Sequence, residues 1–294
     1  MKTEQNRGYL LILAAGALWG TIGFFATLLA NLGMKAGPVA FFRVLSSTVM
    51  LALTLLIKGK GTSLFRISRR GLFSCMLIGV VSQAFYNVCY MNTIEQNGMA
   101  TAAVFLYTSP VYVALLSRLL FREPLTGNKI LAIVMNIVGC VLTVTGGVFS
   151  EMRISPFGLV MGLLAGFTYA LLPILSRTGA SEENPYTAAF YGQLFGALML
   201  FFLIRPYQNP GTEFTWQIIL VLIGFGLIPS ALAYIVYYGG MSRITETSKV
   251  PVIASVETVV AAVIGLVAFG QTLGAVKILG IALVLCSIAV MNRR

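Results

Sequence analysis

A chain of 294 residues that is 58% hydrophobic, only 10% charged and formally +11 is too apolar for a soluble globular protein, where about 25% of residues are charged. It has no His and its nine acidic residues are all Glu, which excludes Ser-His-Asp hydrolysis, HExxH metalloprotease chemistry, an Asp dyad and an aspartyl-phosphate pump. The string KGKGTS from Lys58 to Ser63 lacks the GxxxxGK spacing of a phosphate-binding loop, so direct ATP use has no support.

Apolar stretches of about 20 residues recur along the whole chain, each long enough to cross a bilayer as a helix. The first predicted span, 8–31, holds Trp19 and Gly16-x-x-x-Gly20, and its length argues against a cleaved signal peptide. The second, 38–57, carries Arg43 five residues beyond Pro38. In the third, 71–93, Gln83, Tyr86, Asn87 and Tyr90 recur at helical spacing on one face. The fourth, 99–120, contains Tyr107 and Pro110, and the fifth covers 127–147. The sixth, 156–177, has Gly162-x-x-x-Gly166 and Pro173; the seventh, 185–205, has Tyr191 and Gly192-x-x-x-Gly196. The eighth, 215–239, offers Pro229, Ser230, Tyr234 and Tyr238. The ninth, 247–269, has Glu257 at its midpoint, and the tenth covers 273–292. The fold expected is an all-α membrane protein of ten transmembrane helices forming one membrane domain, since no polar interruption is long enough to fold alone.

If the N-terminus is cytoplasmic, 15 of the 20 basic residues fall on the inner side and four on the outer, with Arg43 inside a span. Basic residues favour the cytoplasmic side, so both termini are expected there, and the positive charge needs no nucleic-acid partner. Cys75, Cys89, Cys140 and Cys286 all lie within spans without CxxC spacing, so they are expected to be buried apolar residues rather than disulfide or metal ligands.

Residues 117–133, SRLLFREPLTGNKILAI, return as GLVAFGQTLGAVKILGI at 265–281, an offset of 148. Phe121/Phe269, Leu125/Leu273, Lys129/Lys277 and Ile133/Ile281 agree, whereas Arg118, Arg122 and Glu123 become Leu266, Gly270 and Gln271. Tyr86 and Tyr90 likewise correspond to Tyr234 and Tyr238, Trp19 to Phe167, and Arg43 to Tyr191. Five spans per half is an odd number, so the second copy is turned upside down, which explains why it keeps the packing residues and loses the arginines. Two inverted-topology five-helix repeats, 1–148 and 149–294, are expected to enclose a shared central site.

Ionisable groups inside a span are costly, about 2.5–3.5 kcal/mol on insertion scales. Glu257 is therefore expected to face a substrate or carry a proton, with a protonated structural Glu as the alternative. Arg43 is read either as a bidentate carboxylate or phosphate ligand, or as a side chain that snorkels to the outer interface or pairs structurally with another helix. Gln83, Tyr86, Asn87, Tyr90, Tyr234 and Tyr238 are expected to line the cavity or to bond between helices; Trp19, Tyr107 and Tyr191 are weaker candidates that aromatic packing or an interface belt explains more readily. The GxxxG pairs are read first as close helix contacts.

The chain resembles the drug/metabolite transporter superfamily in its EamA-type branch of ten-helix carriers. The features carrying the resemblance are ALWG at Ala17 to Gly20, Arg43, SPVYVALLSRLLFREPLTGNK from Ser109 to Lys129, and SVETVVAAVIGLVAFGQTL from Ser255 to Leu273. The sequence departs from the family where Glu257 is followed by Thr258 instead of Pro, which leaves no proline to kink the helix there, and where Gln271 replaces an acidic residue. The resemblance implies movement of a small metabolite, with no cofactor and no catalytic residues. With the tyrosine faces and single carboxylate, the expectation is a secondary transporter of an amino acid or organic amine in the cytoplasmic (inner) membrane of a prokaryote. Alternating access, export and proton coupling through Glu257 complete it. Alternatives are an anionic metabolite such as a sugar phosphate or nucleotide conjugate, and a non-transport scaffold or sensor. The partners expected are a small-molecule substrate, the lipid bilayer and protons, in a monomer or homodimer.

Overall fold

The computed structural model describes residues 2–59, 63–150, 152, 154–208 and 214–292, which contain helices, turns and no strand. Lys60, Arg153, Arg293 and Arg294, counted above among the basic residues, lie outside the described residues. Nine helices among the described residues are long and apolar enough to cross a membrane: Thr3–Asn31, Ala36–Lys58, Arg69–Asn97, Met99–Phe121, Gly127–Thr145, Pro156–Thr178, Pro185–Gln208, Trp216–Met241 and Thr247–Phe269. They coincide with the first nine predicted spans. The last helix, Ala275–Met291, is apolar but has 17 residues, shorter than 273–292 because Gly274 is still extended at its N-cap.

Polar caps set the helix starts. Ser68, Thr126, Ser155 and Thr215 each accept the backbone N–H three residues on, satisfying a donor that the helix leaves free. Gly146 and Gly270 end their helices in the left-handed region. Arg122 does the same at φ 56°, a conformation that costs a residue with a Cβ roughly 1–2 kcal/mol. That turn aims the next side chain, Glu123, into the protein, where it is 5% exposed.

Helix–helix contacts concentrate at glycines. A Cβ on Gly139 would stand 2.8 Å from the Gly280 carbonyl, and one on Gly79 2.6 Å from the Gly196 amide. Gly16 and Gly20 close on Ala254, Val256, Val260 and the Glu257 carbonyl; Gly162 and Gly166 close on Phe105 and Thr108. All three GxxxG pairs include a close contact, the arrangement that lets helices associate when both are solvated by lipid. Gly79→Leu is expected to lower thermal stability in detergent by at least 2 kcal/mol, read from the shift of the unfolding midpoint, because the added atoms meet backbone and cannot be absorbed by a rotamer change.

Contacts also show which chain ends meet. Gln5 Nε2 donates to Thr245 Oγ1 at 2.8 Å, Glu4 pairs with Arg243 at 3.4 Å, and Gln5, Asn6 and Asn292 border one groove. The described chain therefore begins and ends at the same end of the bundle. Three cysteines are buried as expected. Cys286 is not: the last helix packs on Gly127–Thr145 along another face and leaves its thiol exposed.

Five of the nine long helices are irregular. The first breaks between Trp19 and Ile22, the fourth between Leu106 and Ser109, and the ninth at Ser255. The third turns π-helical over Ile78–Phe85 and the eighth over Leu227–Leu232. The break at Ser255 corrects the expectation drawn from the missing proline: Ser255 Oγ donates to the Val252 carbonyl and accepts from Asn136 Nδ2, so side-chain hydrogen bonds interrupt the helix instead. At the offset of 148, Ser255 corresponds to Tyr107 in the fourth break, and the two π-helical segments also coincide.

Candidate functional site

These irregular points surround the centre of the bundle. Glu257 opens the half-helix Val256–Phe269, one residue into its first turn, where unsatisfied N–H groups favour an anion. It is half-buried, as are Tyr86, Tyr90, Tyr107 and Tyr169, although protein atoms surround each of them densely. The field of Glu257 reaches all four of these tyrosines and also Tyr234.

Arg43 approaches from the second helix. It is 8% exposed, and its guanidinium stands 5.6 Å from the Phe225 ring. Its charge acts on Tyr234 and Tyr86. Arg43 and Glu257 therefore influence the same two tyrosines from opposite charges, and neither has an ion-pair partner among the described residues.

An aromatic wall joins the two halves of the chain. Tyr86 stacks on Tyr90 at 5.6 Å and meets Tyr169 at 5.3 Å. Trp19 contacts Tyr234 at 5.5 Å and Tyr237 at 5.3 Å. Gln83 is buried in the π-helical segment, near enough to act on Tyr234. Thr258 Oγ1 donates to the Tyr107 hydroxyl at 2.9 Å, coupling the broken fourth and ninth helices. Such π-helical turns occur disproportionately where side chains must be re-aimed into a site.

Towards the end of the bundle that carries Gln5 and Asn292 lies a cavity of about 20 Å³, bordered by Trp19, Ser109, Tyr169, Pro173, Tyr237 and Pro251 among others. That is room for about one water molecule. The fourth, sixth and ninth helices stand close together here.

Not every predicted residue joins this group. Tyr191 donates its hydroxyl to the Phe65 carbonyl at 2.8 Å and packs on Phe190 and Phe195, in contact with the turn after the second helix. Asn87 Nδ2 is spent on the Gln83 carbonyl of its own helix at 2.6 Å. Tyr238 touches the Tyr234 ring, but its hydroxyl lies against Gly192. The Ser176 hydroxyl donates to the Leu172 carbonyl, and the Tyr237 and Tyr238 hydroxyls have no hydrogen-bond partner among the described residues. Conversely, sequence reasoning missed Tyr169, Tyr237 and Thr258. Tyr169 could have been found as the one tyrosine of the sixth span; Tyr237 and Thr258 carry no comparable signal.

Comparison with known proteins agrees with this architecture. The model of the EamA-like transporter family matches residues 6–145 and again 156–293. The chain belongs to the EamA-like transporter family. This EamA transporter is 29% identical to an uncharacterized transporter of Archaeoglobus fulgidus, over 74% of its own length and 76% of that protein. It is 24% identical to the uncharacterized inner membrane transporter YicL of Salmonella typhimurium over 98% and 96% of the two chains. It is 25% identical to the pseudopaline exporter CntI of Pseudomonas aeruginosa over 72% and 74%. A crystal structure with 17% identity superposes at a TM-score of 0.80 over 97% of both chains, which shows a shared fold. The two matched segments give this EamA protein a two-repeat, all-helical membrane architecture.

Proposed function

We propose that this EamA transporter is a secondary carrier of a small polar or amphipathic metabolite, with amino acids and organic amines as its substrate class, working by alternating access. The reading rests on one observation: a buried guanidinium and a carboxylate, each without an ion-pair partner among the described residues, act on the same two tyrosines at the centre of the bundle. Charges left uncompensated there cost several kcal/mol each, and a ligand bearing an ammonium and a carboxylate would relieve both. The surrounding tyrosines and Trp19 would pack its apolar part and, through cation–π attraction, its ammonium.

In this reading the last helix is the tenth span, and residues 1–148 and 149–294 are two inverted five-helix repeats. The coincidence of the two π-helical segments, and of the breaks at Tyr107 and Ser255, supports this pairing. Glu257 is the proton-coupling group, since a carboxylate without a cation at this depth can take up a proton from any water that reaches it. The count of basic residues supports cytoplasmic termini, and the likeness to YicL and CntI supports an inner-membrane exporter. An anionic substrate such as a sugar phosphate fits less well, because Arg43 is the one cation that acts on the tyrosine cluster among the described residues. Counterflow into proteoliposomes with radiolabelled amino acids, amines and sugar phosphates tests the reading. Exchange of an amino acid or amine is expected; exchange of sugar phosphates alone, or of nothing, overturns it.

A further inference from the structure

Beyond the central site, the structure buries a second polar cluster at the ends of the membrane-spanning helices, with Glu123 and Glu246 just outside them. Glu123 receives four hydrogen bonds: from the Thr247 amide at 2.7 Å, the Ser248 amide at 3.0 Å, the Ser248 hydroxyl at 2.6 Å, and Arg177. Arg177 also donates to Thr247 Oγ1 at 3.0 Å and lies 4.3 Å from the Phe121 ring centroid. Beside it, Lys129 pairs with Glu246 at 3.0 Å and donates to the Pro124 carbonyl at 3.0 Å, while Lys249 pairs with the same Glu246 at 2.5 Å. Burial opposes ionisation of Glu246, but the hydrogen bonds from Lys249 and Lys129 outweigh it and hold its carboxyl below the usual carboxylate range.

The distribution of these groups is informative. Glu123 and Lys129 belong to the first matched segment, whereas Arg177, Glu246, Thr247, Ser248 and Lys249 belong to the second. Thr247 and Ser248 begin the ninth helix, which continues through Val250, Pro251 and Ala254 along the wall of the small cavity. The cluster therefore ties together the same helices that stand close together there.

Among the described residues, the positions related to Glu123, Arg177, Thr247 and Ser248 by the offset of 148 form no equivalent cluster. At the offset of 148, Glu123 corresponds to Gln271, which is exposed, and Thr247 and Ser248 correspond to Met99 and Ala100, which have no hydroxyl. Arg177 corresponds to Leu29, which is buried among apolar side chains. One end is bolted by charge and hydrogen bonds, whereas Leu29, Met99, Ala100 and Gln271, which stand at the related positions, carry no charge.

We infer that Glu123, held by Arg177, Thr247 and Ser248, is the latch of a gate at the end of the bundle that carries the chain termini, so that the empty carrier rests with this end shut. The inference rests on the alternating-access reading and adds the group that biases its two states. Opening this end separates the fourth and ninth helices and must break the bonds to the buried carboxylate together. Charge-assisted hydrogen bonds that also leave a carboxylate without donors make that opening rare.

The test uses full-length protein in which the four native cysteines are alanine and Ala254, on the wall of the small cavity, is Cys. Labelling by a bulky maleimide in detergent is expected to be slow, and Glu123→Gln is expected to accelerate it roughly tenfold, the population change that loss of charge-assisted bonds produces. Equal labelling rates in two folded, monodisperse proteins overturn the latch. If Glu123→Gln does not purify as a folded protein, Arg177→Gln, which spares the three bonds from Thr247 and Ser248, is expected to accelerate labelling about threefold, and an unchanged rate again overturns the proposal. Substrate counterflow by the cysteine-free protein is measured separately: its absence overturns the carrier reading and leaves the labelling rates to decide whether the gate exists.

Discussion

Glu257→Gln is expected to reduce amino-acid counterflow in proteoliposomes by about 10- to 100-fold and to flatten whatever pH dependence remains. The side chain keeps its size and its position at the start of Val256–Phe269, so packing around it is preserved. What disappears is the negative charge that would receive the ammonium of the substrate, an interaction of about 1.5–3 kcal/mol when one partner is charged. The amide also cannot exchange a proton, so a carrier coupled through Glu257 loses its response to a pH gradient along with its rate. A variant that keeps both wild-type flux and wild-type pH dependence would reduce Glu257 to a structural group. The neighbouring Thr258→Val provides a control: it removes the 2.9 Å bond to Tyr107 without touching charge, and should lower flux without altering its pH profile.

Arg43→Lys should raise the KM of a carboxylate-bearing substrate about tenfold and leave a simple amine without a carboxylate unaffected. Lysine preserves the charge but not the planar fork that holds a carboxylate through two parallel bonds, and its compact ammonium desolvates at greater cost in a buried site. The guanidinium also lies over the Phe225 ring, a contact a lysine would make less well. Comparing the two substrates separates ligand recognition from a general loss of folding, because damage to the fold would depress both. Equal KM values for the carboxylate substrate in wild type and variant would mean that Arg43 does not grip it bidentately.

Membrane residence and family were legible from residues in order along the chain, because the features that encode them are local. A helix in lipid must satisfy its own backbone and present apolar side chains over about 20 residues, so the long helices could be bounded before any contact was known. The match of 117–133 with 265–281 needed only a comparison of the chain with itself, and it agrees with a family model that matches in two segments. Glu257 and Arg43 stood out because charge inside such stretches is rare and costly.

Tertiary structure decided what those local rules leave open. Hydropathy cannot distinguish a face turned to a neighbouring helix from one turned to the centre of the bundle, so Tyr191 stood among the weaker candidates beside Tyr86, whereas its hydroxyl bonds the Phe65 carbonyl. The break at Ser255 depends on Asn136 and on a carbonyl of its own helix, which no proline announces. Tyr169 and Tyr237 acquire meaning only from Tyr86 and Trp19, contributed by helices distant in sequence. Glu123 read as part of a charged loop, whereas its four donors come from residues 54 to 125 positions away. The sequence by itself determined which segments enter the bilayer, since that is settled by transfer of each segment from water to lipid. Which polar groups meet was decided by packing of the whole bundle, because a buried hydrogen bond depends on the positions of two helices at once.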